Sequence, residues 1–405
     1  MIKNNCYYYL LIAIVMASLE CFSPTFIGAS NFFFKLILYS LAVFFCILVS
    51  KSKSILDKKL LIAVIVFSFC QLMSAYNAYV FNGQEIVTSL IATMQGFGYI
   101  LLIPLSKSKL TICQIEKLAK FFTICYLICS VLNRLSPYPL FGSADEGSDR
   151  GATRFRLLGI YWVIFFFLMK INRYAVENKK NDLYWIIASG MGILFSLTRQ
   201  DIVVSFILGG MLYFVKTKIV KKLAFAIFTI VLINVVAPHI PVVNSLIEKS
   251  IEEKQAQSQY DNIRIVAAEF YTFEYPRNLQ QSLFGVGVPS FGNSNYGNQM
   301  VKIQEVLKVF REDVGYCGFY FNYGLIATVI MIGLFLWVLY LKLPRQYIYL
   351  KYYSAAFLLL NIASSPCQSN VSILPFICAL YVVIRLRYEL KYKNDKRKNI
   401  VHGIK

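Results

Sequence analysis

Apolar runs of membrane-crossing length recur along this chain, and nothing else in it constrains the fold as strongly. Asn31–Ser50, Leu60–Val80 and Tyr316–Leu341 are three of them. A helix rises about 1.5 Å per residue, so roughly 20 apolar residues cross a hydrocarbon core of about 30 Å. A soluble fold would place polar residues every few positions to cover its surface. In lipid the backbone has no water to bond, so each span must satisfy its own polar groups as a helix. A membrane barrel shows shorter, alternating segments instead. The sequence therefore predicts an all-α, polytopic membrane protein.

Twelve transmembrane helices are expected, at 6–22, 31–50, 60–80, 86–105, 118–133, 155–171, 183–197, 202–215, 223–237, 316–341, 352–364 and 371–387. The chain then divides into nine helices over 1–237, one large extracytoplasmic loop over 238–315, and three helices with a basic tail over 316–405. No internal repeat is evident. Segments 183–197 and 202–215 are short, so either they extend further or the turn at 198–201 dips into the membrane.

Charge supports this reading. Of the 405 residues 58% are hydrophobic and 15% are charged, against about 25% charged in soluble domains. The formal net charge is +20, but the basic residues sit in short clusters between apolar runs. No aromatic-plus-basic module accompanies them, which excludes nucleic acid as a partner. With an inside N-terminus, the inside segments hold Lys51, Lys53, Lys58 and Lys59, then Lys107 and Lys109, then Arg173, Lys179 and Lys180, then Lys342 and Arg345. The outside turns 23–30, 81–85 and 365–370 hold no Lys or Arg. That asymmetry follows the positive-inside rule and predicts cytoplasmic termini. Most of the ten cysteines lie in apolar runs, where Cys is a small hydrophobe, and no CxxC pair occurs.

Four polar features interrupt the apolar pattern. Ser196-Leu-Thr-Arg199-Gln-Asp201 sets an arginine at an outer membrane boundary. It reads either as a snorkelling residue paired with Asp201 or as an anion clamp, since a guanidinium binds phosphate at two points. Arg264 follows in a segment that also carries Glu269 and Glu274; a solvated amphipathic helix is the plainer reading. Leu283-Phe-Gly285-Val-Gly287-Val-Pro-Ser-Phe291 lacks the strand–helix context of a nucleotide-binding glycine loop and reads as a tight turn. Glu312-Asp313 precedes Gly315 at the start of an apolar run. Its carboxylates either complement a helix dipole or supply a general base.

These features, in this order, resemble the bacterial O-antigen polymerase and O-antigen ligase superfamily. The resemblance rests on Ser196–Asp201, Arg264, Gly285–Phe291 and Asp313–Gly324, and covers the C-terminal half. It departs at Thr198-Arg199, where the family usually has Ser-Arg. It implies a metal-independent glycosyltransferase of the bacterial inner membrane that acts on undecaprenyl-pyrophosphate-linked oligosaccharide and uses no cofactor. Membrane lipids, a chain-length regulator and a flippase are the other candidate partners. Arg199, Arg264, Arg277 and Arg154 would face the pyrophosphate, Gly285 and Gly287 would form the loop turn, and Glu269, Glu312 and Asp313 are the candidate bases. Ligase members carry a functional histidine late in the large loop. This chain has only His239 and His402, which favours a polymerase over a ligase. A flippase is the other alternative. No Asp-x-Asp motif, His pair or Cys cluster on the outer face offers a metal site.

Overall fold

A computed structural model of the chain describes residues 2–25, 31–136, 138–145, 154–214 and 263–402. The expected span 223–237 and the first part of the expected loop, 238–262, lie outside the described residues. The fold is all-α in character. Its helices are α1 (Ile2–Ser18), α2 (Asn31–Val49), α3 (Lys58–Asn82), α4 (Ile86–Thr93), α5 (Leu102–Ser108), α6 (Ile112–Leu135), α7 (Ile160–Glu177), α8 (Lys180–Phe195) and α9 (Arg199–Phe214). From residue 263 onward come α10 (Ile263–Glu269), α11 (Leu279–Phe284), α12 (Asn295–Leu307), α13 (Gly315–Tyr340), α14 (Tyr349–Leu360) and α15 (Asn370–His402).

Among the described residues three helical stretches are long and apolar enough to cross a membrane: Lys58–Asn82, Arg311–Tyr340 and Asn370–Tyr392. A fourth is broken, Ile86–Thr93 and Gly96–Ser108 meeting at a bend of 59°. The bend falls at glycines that let the backbone approach its neighbours. A Cβ on Gly96 would lie 2.5 Å from Gln71 Nε2 and 2.6 Å from the Tyr323 hydroxyl. Helix α8, at 16 residues, reaches only about 24 Å.

One expectation needs correction. The helix expected from residue 155 begins at Ile160, because Arg154–Arg156 forms strand β2, paired antiparallel with β1 (Ser143–Asp145). The Arg-Phe-Arg alternation suits a strand edge and is too charged for a span.

Helix α7 lies at the centre. Every residue from Trp162 to Met169 is buried, as a helix apolar on all sides must be. The peripheral helices instead turn apolar side chains outward: Val43 and Ile47 on α2, Ile187 on α8, Val203 and Ile207 on α9, and Val329 and Leu336 on α13 are exposed. A surface of that kind suits lipid and not water.

Connections fall into two sets, each tied together internally. In one, the Gly142 N–H donates to Ser23 O at 2.8 Å, Gln84 Nε2 donates to Val288 O at 3.1 Å and Ser365 Oγ donates to Glu312 O at 3.3 Å. In the other, the Ile55 N–H donates to Ser106 O at 3.2 Å, Asn172 Nδ2 donates to Gln346 O at 2.7 Å and Arg173 meets Glu116 at 3.4 Å.

Segment 263–315 is fixed to this bundle by a glycine seam. Gly324 interrupts α13 with φ 79° and ψ 178°, which frees carbonyls of the preceding turn. Phe321 O accepts the Val286 N–H at 2.7 Å, and Asn322 O accepts Ser74 Oγ. Asn77 Nδ2 donates to Gly285 O at 2.7 Å and Asn82 Nδ2 to Val286 O at 3.0 Å. The glycines are reciprocal: a Cβ on Gly285 would lie 2.2 Å from Asn322 O, and one on Gly324 would lie 2.3 Å from Leu283 O.

This geometry separates two glycines of similar sequence context. Gly285 has φ +89° and no room, whereas Gly292 has φ +74° and open space, with nothing within 4 Å of where a Cβ would stand. Gly285→Ala is expected to cost about 2–4 kcal/mol, from strained φ and overpacking together. Gly292→Ala is expected to cost only the backbone share, about 1 kcal/mol. Thermal unfolding of the detergent-solubilised variants checks this; equal losses would show that the seam is not close-packed.

Candidate functional site

The acidic pair of the sequence lies on a short 3-10 turn, Arg311–Val314, packed against α10 at the mouth of α13. Its two carboxylates have different surroundings. Glu312 Oε1 accepts from Arg311 Nη2 at 2.8 Å. Arg311 is itself only 6% exposed; its Nη1 donates to Asn322 Oδ1 at 3.1 Å and its guanidinium lies 5.5 Å from the Phe291 ring. Asn322 Nδ2 in turn donates to Gln368 Oε1 at 3.0 Å. Glu312 is therefore committed to a buried arginine and serves the fold.

Asp313 is exposed. The charges acting on its carboxylate are Arg264 from α10, Glu312 beside it, and Arg156 from β2. Residues far apart in sequence thus share one electrostatic cluster. Glu269 and Arg277 are exposed. The backbone of Arg154 pairs with Asp145 in the hairpin, and its side chain lies outside what is described.

Arg199 opens α9 one residue after a turn in which Leu197 takes a left-handed φ of 50°. Its Nε and Nη2 are buried. Asp201 is buried in the same first turn, where a carboxylate complements the helix dipole. Side chains around this turn cap neighbouring helix ends. Arg134 Nη2 donates to Phe195 O at 3.3 Å at the end of α8, and Gln200 Nε2 donates to Leu360 O at 2.8 Å at the end of α14. Arg134 also stands 5.2 Å from the Phe155 ring of β2. The α8–α9 turn and the Asp313 cluster therefore reach the same hairpin strand, the first through Arg134 on Phe155 and the second through Arg156.

Gly285 and Gly287 form the turn that leads from α11 into the seam, at φ +89° and +113°. A Cβ on Gly287 would lie 2.4 Å from Ala78 Cβ. They position segment 263–315 and offer no side chain to a ligand. Tyr271 and Tyr275, just after α10, meet the Phe321 ring edge to face, with centroids 4.9 and 5.2 Å away. Burial pushes both hydroxyls above the ordinary tyrosine range, so at neutral pH they donate hydrogen bonds and do not act as bases. The Tyr271 hydroxyl donates to Val309 O at 2.9 Å.

Two participants carry little signal in the sequence. Arg311 reads as one more outer arginine until its burial is seen. Arg156 reads from sequence as another outer arginine, just inside the helix expected from residue 155, and nothing in the sequence ties it to Asp313. Among the described residues no group of three or more His, Cys, Asp or Glu side chains converges. No protein-family model matches the chain, and no curated protein matches its sequence.

The burial difference between Arg311 and Arg264 is measurable. Arg311→Met is expected to destabilise the protein by about 2–3 kcal/mol, because it removes hydrogen bonds from Asn322 and Glu312. Arg264→Gln, at an exposed position, is expected to stay within about 0.5 kcal/mol of wild type. Unfolding temperatures in detergent compare them; a larger loss at Arg264 would make that arginine a structural residue.

Proposed function

We propose that this chain is a polymerase of lipid-linked oligosaccharide repeats, working at the outer face of a bacterial cytoplasmic membrane. In this reading it has about twelve spans, cytoplasmic termini, and segment 238–315 outside. What supports the topology is the division of the connections. In the first set the short turns 23–25, 81–85 and 365–370 hold no Lys or Arg, although the longer connections around 154–156 and 263–315 do, and the second set is flanked by Lys51, Lys107, Lys179 and Arg345. The product would be O-antigen or capsular polysaccharide.

The observation that carries the function is the packing of α10, which bears Arg264, against the turn Arg311–Val314, which bears Asp313; the charges of Arg264 and of Arg156 on β2 both act on that carboxylate. Transfer of a glycan from a lipid pyrophosphate breaks the anomeric C–O bond and leaves two phosphates with growing negative charge. A fixed guanidinium is matched to that charge and pairs with phosphate at two points. The attacking sugar hydroxyl must lose a proton as its bond to the anomeric carbon forms. Asp313 is exposed beside the arginines and is the base we assign, in preference to Glu312, which is held by Arg311; Glu269 remains a candidate. Arg199, Arg277 and Arg154 remain candidates for the pyrophosphate.

A deletion strain is expected to display single repeats and no long glycan, whereas loss of a flippase would remove the repeats as well. Complementation with Arg199→Lys is expected to restore little polymer at normal expression, since an ammonium cannot make the planar two-point contact. The loss should be roughly a hundred- to thousand-fold in rate, equivalent to about 2.7–4 kcal/mol. Normal-length glycan from the lysine variant would reduce Arg199 to a boundary residue.

A further inference from the structure

Part of segment 263–315 reaches well below the end of the helix beside it. Helix α3 is about 37 Å long, and the hydrocarbon core that such a helix crosses is about 30 Å thick. Ser74 stands about 12 Å along the axis from the Asn82 end. Were the whole surplus length of α3 to project beyond the core at that end, Ser74 would still lie within it. Yet Ser74 belongs to the glycine seam. Its Oγ donates to Asn322 O, and a Cβ on Gly287 would lie 2.9 Å from Ser74 O. Helix α13 gives the same depth: Gly324, which abuts Leu283 O, stands about 13 Å from the start at Gly315. Deeper still, the Phe284 ring meets Phe69 edge to face, with centroids 6.0 Å apart, and Phe69 is about 20 Å from the Asn82 end.

Helix α11, packed against both α3 and α13, is inside out for a helix in water. Leu279 is 73% exposed, and Leu283, four residues on, shares its face. Gln281 points the opposite way and is 2% exposed; its Oε1 accepts the Arg277 N–H at 2.8 Å. Gln280 Nε2 donates to Asn77 Oδ1 at 2.7 Å. Water would draw the glutamines out and the leucines in. The exposed face adjoins other exposed apolar side chains, Phe69 on α3 and Leu325 on α13.

The irregular backbone that follows is served by side chains from α3 and the residues just after it. Asn77 bonds Gly285 O, Asn82 bonds Val286 O and Gln84 Nε2 bonds Val288 O, while Gln84 Oε1 accepts the Ser290 N–H at 2.9 Å. A loop in water needs no such partners. Non-helical backbone at membrane depth requires them.

We propose that residues 279–287 are re-entrant: α11 dips into the leaflet at the Asn82 end of α3, sets Leu279 and Leu283 among phospholipid acyl chains, and the chain then returns along α3. The inference goes beyond the polymerase reading and stands whatever the protein transfers, since it requires only that α3 and α13 cross a membrane. The dip holds segment 263–315 at a fixed height over the hydrocarbon.

Photo-crosslinking of the full chain in liposomes of phosphatidylethanolamine and phosphatidylglycerol tests this. A benzophenone side chain is placed at position 279, at 72 as the lipid-facing reference, or at 293, exposed beyond the seam, as the aqueous reference. Peptide mass spectra should show phospholipid adducts at 279 and 72 and their loss at 293. Leu279→Cys and Asn293→Cys give a second measurement. A water-soluble maleimide applied to opened membranes should label 293 and spare 279, with native cysteines resolved by peptide mapping. Size-exclusion profiles confirm the fold of each variant; if the bulky probe at 279 causes aggregation, the cysteine decides. Lipid adducts at 72 with none at 279, maleimide labelling at 279 to the extent seen at 293, or a crosslink from 279 to a second protein chain overturns the proposal.

Discussion

The contact on which the candidate site depends is the glycine seam between the turn after α11 and the break in α13. A membrane helix cannot leave carbonyls bare, so the break at Gly324 must be repaired from outside the helix. The repair comes from Val286, and from Ser74 on α3. Because the donors are backbone and short side chains, the segments must touch, and only glycine at 285 and 324 allows it. Segment 263–315 is thereby held rigidly over α3 and α13. Arg264 and Asp313 sit on that segment, and their mutual distance is set by it.

Most of the helical architecture is legible from periodic apolar length alone. Each expected span among the described residues is covered by helix in whole or in large part. The hairpin at 143–156 is not legible, since three-residue strands leave almost no period to detect. Nor is the break near Gly96 and Gly98, since glycine inside an apolar run is common in membrane helices. The left-handed turns at Glu20–Ser23 leave no trace in the sequence because none of those residues is glycine. The turn leads into backbone contacts of Ser23, Pro24 and Thr25 with residues 140–142, which are tertiary and leave no local pattern.

The candidate site is legible in part. Sequence order singles out Arg264 and the acidic pair, but it cannot tell the two carboxylates apart. Their difference arises from Arg311, whose burial depends on Asn322 and Gln368, residues brought together only by tertiary packing. Glu269 and Arg277 stand close to Arg264 in sequence, which on a helical segment is no guide to a shared face. Arg156 gains its significance only because the hairpin carries it to Asp313. Gly285 and Gly287 read as a turn from sequence, and their further role in the seam depends on what lies opposite.

In the proposed reaction arginines, without a metal, balance the departing pyrophosphate beside Asp313. Reconstitution of the purified chain in liposomes with lipid-linked repeats, followed by analysis of glycan length, addresses it most directly. The account predicts a ladder of extended products that persists in EDTA and is lost in Asp313→Asn. Products abolished by EDTA and restored by magnesium or manganese, or an undiminished ladder from Asp313→Asn, would contradict it.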